Sequence, residues 1–173
     1  MTAPSLTAGP LTGRPLHRGD WGLILALHSD AESGRWLLPP GEQASEDRAQ
    51  RVAANFAEHW LAEGFGPYLW SVRGRPVGYA GLRRSRLDGL PELEALWAME
   101  PRHWGRGYAT AAAGAALAAD GPYPGDDLSV AAWTLPDNAA SLRVMAKLGF
   151  RPERETLWAG LRHIVHRWRP DGW

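Results

Sequence analysis

Arg102-His103-Trp104-Gly105-Arg106-Gly107-Tyr108-Ala109-Thr110 is the stretch on which the reading of this chain turns. An apolar run, Leu93 to Met99, precedes it, and an alanine-rich run ending near Asp120 follows. The succession predicts a strand, a tight glycine turn and a helix over 106–120. Two glycines one residue apart let backbone N–H groups approach a ligand closely. The helix that follows aims its unpaired N–H groups and the positive end of its dipole at the same point. Such a turn suits a phosphate or pyrophosphate.

The rest of the chain supplies a scaffold. At 173 residues it is expected to form a single domain over 1–173, with 1–10 as a flexible N-terminal arm. It contains no cysteine, which excludes disulfides and thiolate metal sites. Met1 to Gly13 has no apolar signal-type segment, and no apolar run approaches the roughly 18 residues of a membrane span. A cytoplasmic protein without a membrane partner is therefore expected. The formal net charge is zero, which offers no basis for a nucleic-acid partner. Ten tryptophans are many for this length; some belong in a core, and an excess would line an apolar site.

In chain order, Leu11 to Arg18 reads as a first strand and Asp20 as the cap of a helix through His28. Trp36-Leu37-Leu38 meets Pro39-Pro40-Gly41, a loop signal. Ser45 opens a second helix with Glu46 and Asp47 in its first turn. Ala49, Val52, Ala53, Phe56 and Trp60 form its apolar stripe. Tyr68–Val72 and Pro76–Arg83 flank the hairpin turn Arg73-Gly74-Arg75. Arg84 to Pro91 reads as a polar connector and Glu92 to Met99 as a third strand of this run. After the helix at 106–120, stopped by Gly121-Pro122, come a loop from Pro122 to Asp126 and a buried strand from Leu128 to Thr134. Pro136-Asp137-Asn138 opens a helix through Leu148, with Gly149 ending it. Arg151–Leu161 and His163–Trp168 close the chain as paired strands. The expected fold class is α/β: one central, mixed, mostly antiparallel sheet of six to seven strands with about four helices, in the order β-α-α-β-β-β-α-β-α-β-β.

Three readings compete for the glycine turn. The plainest is a connector between strand and helix. A dinucleotide fingerprint is the second, since Gly105-x-Gly107-x-x-Thr110 comes near G-x-G-x-x-G/A with Asp126 and Asp127 about twenty residues on. Against it, Thr110 is bulky where the close helix–strand contact needs a small residue, and the aspartates precede the next strand instead of ending it. The third reading is a resemblance. Arg102-His103-Trp104-Gly105-Arg106-Gly107 fits R/Q-x-x-G-x-G/A, the acyl-CoA pyrophosphate loop of the GNAT superfamily of N-acetyltransferases. Asn138…Ser141…Lys147-Leu148-Gly149-Phe150 resembles a second family signature, N-x-x-S…K-L-G-F. His28-Ser29-Asp30, Trp36-Leu37, Gly64-Phe65-Gly66 and Val77–Leu82 resemble the branch containing ribosomal-protein N-terminal acetyltransferases. Together the matches cover about residues 10–168 in order.

The resemblance implies the GNAT fold and an acetyl-CoA-dependent N-acetyltransferase with acetyl-CoA as cosubstrate and no metal. Its acceptor would be a primary amine of a small molecule or a protein N-terminus, attacking the thioester directly. An acyl-CoA-binding module with little turnover is the alternative. In this family the strand before the pyrophosphate loop splays from the strand after the next helix, and pantetheine lies in the gap. The backbone of Trp97, Ala98 and Met99 would then hold pantetheine. Backbone N–H groups of Trp104, Gly105, Arg106, Gly107, Tyr108 and Ala109 would hold the pyrophosphate, with charge added by Arg102 and Arg106. Glu94 stands where similar enzymes carry a general base, acting directly or through water; binding a substrate cation, or a place on the solvent face of the sheet, is weighed about evenly against that. Many family members protonate the leaving thiolate with a tyrosine near the last helix. No tyrosine follows Tyr123, and by resemblance Ser141 takes that role. Asn138 would bind pantetheine by its side-chain amide, and Asp137 reads as a helix cap. Homodimerisation is a further family expectation.

The histidines do not suggest zinc: His163 and His166 lie three apart on a strand, and His28 and His59 fall in separate helices. Ser141 has no nucleophile-elbow context, which argues against a hydrolase. The acceptor site in this fold draws on the first helices, the loop 30–45 and the last strands, which supply Trp21, Trp36, Trp60, Trp158 and Trp168, although core packing accounts for most of them. No acidic cluster marks a polyamine or aminoglycoside site.

Overall fold

The computed structural model describes residues 5–118 and 129–169. Its strands are β1 (Leu6–Ala8), β2 (Leu11–Pro15), β3 (Pro67–Val72), β4 (Arg75–Leu87), β5 (Leu90–Met99), β6 (Val130–Thr134), β7 (Arg151–Trp158) and β8 (Leu161–Trp168). They make one sheet in the order β1-β2-β3-β4-β5-β6-β8-β7. Every neighbouring pair is antiparallel except β5 and β6, which run parallel. Helices α1 (Trp21–Ser29), α2 (Ala31–Leu37) and α3 (Glu46–Glu63) precede β3; α4 (Tyr108–Leu117) and α5 (Ala139–Lys147) flank β6 in the chain.

Alternation along β5 separates the two faces. Leu93, Ala95, Trp97 and Met99 pack in a cluster with Ala112, Ala116 and Leu117 of α4 and Met145 of α5. Leu96 and Ala98 belong to a second cluster with Ile24 and Leu27 of α1 and Ala49, Ala53 and Phe56 of α3. The alanines of α4 thus do what small side chains do best, letting a helix lie close to a sheet. The Ser45 hydroxyl caps α3, accepting from Arg48 N–H at 3.2 Å, and the predicted stripe is its inner face.

Four local expectations are corrected. Leu6–Ala8, placed in an N-terminal arm, pairs with β2 as an edge strand. The segment after Asp30 is helical, not loop: Asp30 Oδ1 accepts from the N–H groups of Glu32 and Ser33 at 2.8 and 3.1 Å and starts α2. Arg84 to Pro91 is no connector; β4 and β5 continue to a two-residue turn at Asp88 and Gly89, whose φ values are +52° and +78°. Finally, Asp137 is not the cap of α5; Asn138 is, through its Oδ1 and the Ser141 N–H at 3.2 Å. The expected Gly121-Pro122 stop, the 122–126 loop, Asp126 and Asp127 lie outside the described residues.

No helix among the described residues is long and apolar enough to cross a membrane. Nor do those residues hold a group of three or more His, Asp or Glu side chains placed to bind a metal ion.

Candidate active site

β5 and β6 pair only at Leu93–Val130 and Glu94–Ala131. Past that point Ala132 to Thr134 are hydrogen-bonded to β8, and Ala95 to Met99 to β4, so the two parallel strands part. The backbone groups of β5 that point away from β4 then face a gap instead of a strand, and a buried backbone group without a partner is costly. An extended amide-bearing ligand would complete this ladder. A cleft of about 190 Å³ opens here, with Trp97, Ala98 and Met99 on one wall and Asn138 and Ser141 on the other.

The glycine turn closes one end of the cleft. Gly105 and Gly107 have φ of +74° and +76°, a region that L side chains rarely adopt. A Cβ at either would meet nothing within 4 Å, so the space before them is open. Gly107 is the N-cap of α4, and the first helical bond runs from Ala111 N–H to the Gly107 carbonyl. The N–H groups of Tyr108, Ala109 and Thr110 are therefore the unpaired ones at the start of the helix, and all three residues line the cleft. Trp104 Nε1 donates to the Met99 carbonyl at 2.7 Å, which fastens the turn to the end of β5. The arginines of the turn point elsewhere. Arg102 donates from Nε and Nη2 to Glu100 Oε2 at 2.9 and 2.7 Å, and neither it nor Arg106 lines the cleft.

Asn138 is 7% exposed and employed within the protein. Its oxygen caps α5, and its Nδ2 donates to Thr134 Oγ1 at 2.9 Å. The side-chain amide expected to bind pantetheine is thus engaged on both atoms, with one N–H left over. Ser141 is oriented by this cap and lines the cleft. Glu94 does not line it. Its carboxylate lies on the α1–α3 side of the sheet, on the last β5 residue paired with β6, and accepts from Arg83 Nε at 2.6 Å. Arg83 in turn lies over the Phe56 ring, 5.7 Å from its centroid.

Several lining residues were not among the expected catalytic or cofactor-binding ones. Ser33, Trp36 and Leu37 reach the cleft from α2. Trp36 was legible only as one of several aromatic candidates, while Trp60 proves to be a core residue whose Nε1 donates to the Pro67 carbonyl at 2.7 Å. His103 lines the cleft beside Tyr108, the ring centroids 5.9 Å apart. Arg143 and Lys147 line it from α5. Their four-residue spacing was a signal in the sequence, since it places two like charges on one helix face, a mildly unfavourable arrangement unless an anion is shared.

A model of the acetyltransferase (GNAT) domain family matches residues 11–151. The chain belongs to the GNAT acetyltransferases. Solved structures agree with that assignment. A Bordetella pertussis protein described as a GNAT-family acetyltransferase superposes with a TM-score of 0.78 at 26% identity, covering 95% of this chain and 98% of that one. The ribosomal-protein-S5-alanine acetyltransferase of Vibrio fischeri shares the fold at TM-score 0.73 and 17% identity, covering 98% of each chain. A Salmonella typhimurium protein solved with its cofactor acetyl-CoA shares it at TM-score 0.72 and 19% identity, covering 92% and 94%. In this GNAT acetyltransferase the described strand pairings match the expected splay, with β5 and β6 as the parting strands.

Proposed function

We propose that the protein transfers an acetyl group from acetyl-CoA to a primary amine, on a small molecule or at a protein or peptide N-terminus, by direct attack of the amine on the thioester. The observation that carries this reading is the juxtaposition of the parted β5–β6 ladder with the open glycine turn and the Asn138–Ser141 wall. On this reading pantetheine hydrogen-bonds to the backbone of Trp97, Ala98 and Met99 as an added strand. Its pyrophosphate receives N–H groups from Trp104 to Ala109.

The attacking amine must be neutral. An α-amine, with a reference pKa of roughly 8, needs little help at neutral pH, whereas a lysine side chain at about 10.4 needs more. Glu94 is the proposed base, acting through a water from the far side of the sheet, because Oε2 is committed to Arg83 and Oε1 has no partner among the described residues. A backbone N–H near Ala98 or Met99 would stabilise the oxyanion. Ser141 would supply the proton that the leaving thiolate takes up. Peptide N-termini belong among the candidate acceptors because of the resemblance to the ribosomal-protein branch.

Calorimetry with acetyl-CoA, followed by a thiol-release screen over amines and peptides, tests the proposal. Absence of binding at high micromolar acetyl-CoA would sink it. The alternative, a binding module with little turnover, is favoured by the lack of any tyrosine after Tyr123. Tight binding without thiol release across a broad acceptor panel would select it.

A further inference from the structure

The face of the sheet turned away from α4 and α5 holds side chains that the cosubstrate does not use. Glu94 of β5 and Ala131 of β6 are paired there, at the last pairing before the two strands part. Two residues further along each strand, roughly 7 Å on, Leu96 and Trp133 stand on the two lips of the gap, on the same face as Glu94. Helices α1 and α3 roof the cluster around Leu96. Trp133 has different company. It is half-buried and packs against Leu87, Ala131 and Val165, a cluster to which only strands contribute. Val165 is its partner across the β6–β8 ladder. Two residues from Val165, the His163 ring stands edge-on to Trp158, centroids 5.4 Å apart, and extends the aromatic surface. The face is thus an apolar platform that begins beside Glu94.

The charges bordering this platform are spent on one another. Arg167 holds Glu92 and Glu153, and Arg154 holds Asp88. Arg83 takes Oε2 of Glu94, which leaves Oε1 at the gap without a partner among the described residues. A polycation needs several free carboxylates, and an acceptor with its own carboxylate needs a free cation; the described residues of this platform offer neither. Nor do they leave a backbone edge for a peptide at the gap. Val130 to Thr134 pair with β8 and Ala95 to Met99 with β4, and the groups that face the gap are those given to pantetheine.

We infer that the acceptor is a small primary monoamine with an aromatic body, its nitrogen at the gap beside Glu94 and its ring against Trp133, which makes Trp133 the residue that selects it. The inference rests on the acetyl-transfer reading and narrows its acceptor. Pantetheine enters from the cleft side and the amine from the platform side, so the two do not compete for space. The nitrogen bonds to the acyl carbon as the C–S bond breaks, and the proton lost by nitrogen balances the one gained by sulfur. A two-carbon link between amine and ring spans the distance from the gap to Trp133, where an offset or edge-on contact with the indole is available.

The test is thiol release by wild type, Trp133→Ala and Trp133→Phe with 2-phenylethylamine, propylamine, spermidine and an unblocked alanyl tetrapeptide, beside calorimetry with acetyl-CoA. Wild type is expected to show a kcat/KM for 2-phenylethylamine at least about tenfold above that for each of the others, the scale of one aromatic contact. Trp133→Ala should raise KM for 2-phenylethylamine and bring its kcat/KM close to that for propylamine, with acetyl-CoA affinity as in wild type. Trp133→Phe should keep most of the preference. A wild type that prefers any of the other three acceptors, or none, overturns the inference. So does a Trp133→Ala protein that keeps the wild-type preference, or one that loses turnover of 2-phenylethylamine and propylamine in equal proportion, which would make Trp133 structural. Acetyl-CoA binding without thiol release to any of the four also overturns it. Failure of wild type to bind acetyl-CoA would instead overturn the functional reading on which it rests.

Discussion

Glu94 and Arg83 stand directly opposite one another in the β4–β5 ladder, joined at 2.6 Å through Oε2 and Nε, on the last β5 residue before β5 and β6 part. The pair holds one carboxylate oxygen still and leaves the other unclaimed among the described residues. Glu94→Gln retains an acceptor for Arg83 and should fold normally. It is expected to lower kcat by about 100-fold or more while leaving acetyl-CoA affinity unchanged, the size usual for loss of a general base. Steady-state kinetics beside calorimetry decide the point; an unchanged kcat would reduce Glu94 to a structural partner of Arg83.

Ser141 contributes its backbone N–H to the α5 cap and its side chain to the cleft wall. Ser141→Ala leaves the cap intact, so stability and CoA affinity should hold while kcat falls. If kcat is unaffected, a water protonates the thiolate.

Asn138 caps α5 by accepting from Ser141 N–H and ties the helix to β6 by donating to Thr134 Oγ1. Asn138→Ala removes the cap and leaves a buried hydroxyl one partner short. A loss of about 1–3 kcal/mol is expected, a fall in Tm of roughly 3–10 °C for a domain of this size. Thermal denaturation measures it. A wild-type Tm would show that the amide is not structural and would return it to cofactor binding.

Gly107 and Gly41 have nearly equal φ, +76° and +78°, and open space where a Cβ would go. Only Gly107 lines the cleft. Substituting glutamate at either should cost about 1–2 kcal/mol of backbone strain. Gly107→Glu alone should abolish CoA binding, because its carboxylate fills and charges the anion site. Loss of binding in both variants would mean that strain, not occlusion, is responsible.

His28 is 6% exposed, and burial, with the Arg48 cation nearby, pulls its pKa from 6.5 down to about 4. Between those values the unfolded chain takes up a proton here and the folded chain does not. Stability therefore declines as pH falls from 6.5 towards 4 and levels off below. Above 6.5 the ring is neutral in both states and contributes no slope. His59 and His166 are also pulled down by burial and act in the same sense. The His28 share is on the order of 2–3 kcal/mol across that window. Urea titrations at several pH values should show the slope, and His28→Leu should flatten it; an unaltered slope would assign it to the other histidines.

How much could be read in advance follows the range of each interaction. The α3 stripe, the Ser45 cap and the Arg73-Gly74 hairpin are legible because each depends on neighbours within a few residues. The Asp88-Gly89 turn was equally local, since an Asp-Gly pair is a strong hairpin signal, and it was hidden by the polar residues around it. Helix α2 was not local. Its Gly34 argues against a helix, yet a Cβ there would come within 2.4 Å of the His28 carbonyl oxygen, so the glycine answers to the packing of α1 on α2.

The candidate site divides in the same way. The motifs at 102–110 and 138–150 carried the resemblance to the family, and the resemblance in turn implied the parting strands; the turn was legible because backbone chemistry at glycines and caps is written in consecutive residues. Only the tertiary structure decided which side chains face the cleft. Arg102 turns to Glu100, the Asn138 amide turns to Thr134, Glu94 lies on the other side of the sheet, and Arg143 and Lys147 take the cleft. The physical reason is that a side chain's direction is set by what its helix or strand packs against. For Glu94 the partner lies eleven residues away on β4, and for Arg143 it is the open space left where two strands separate.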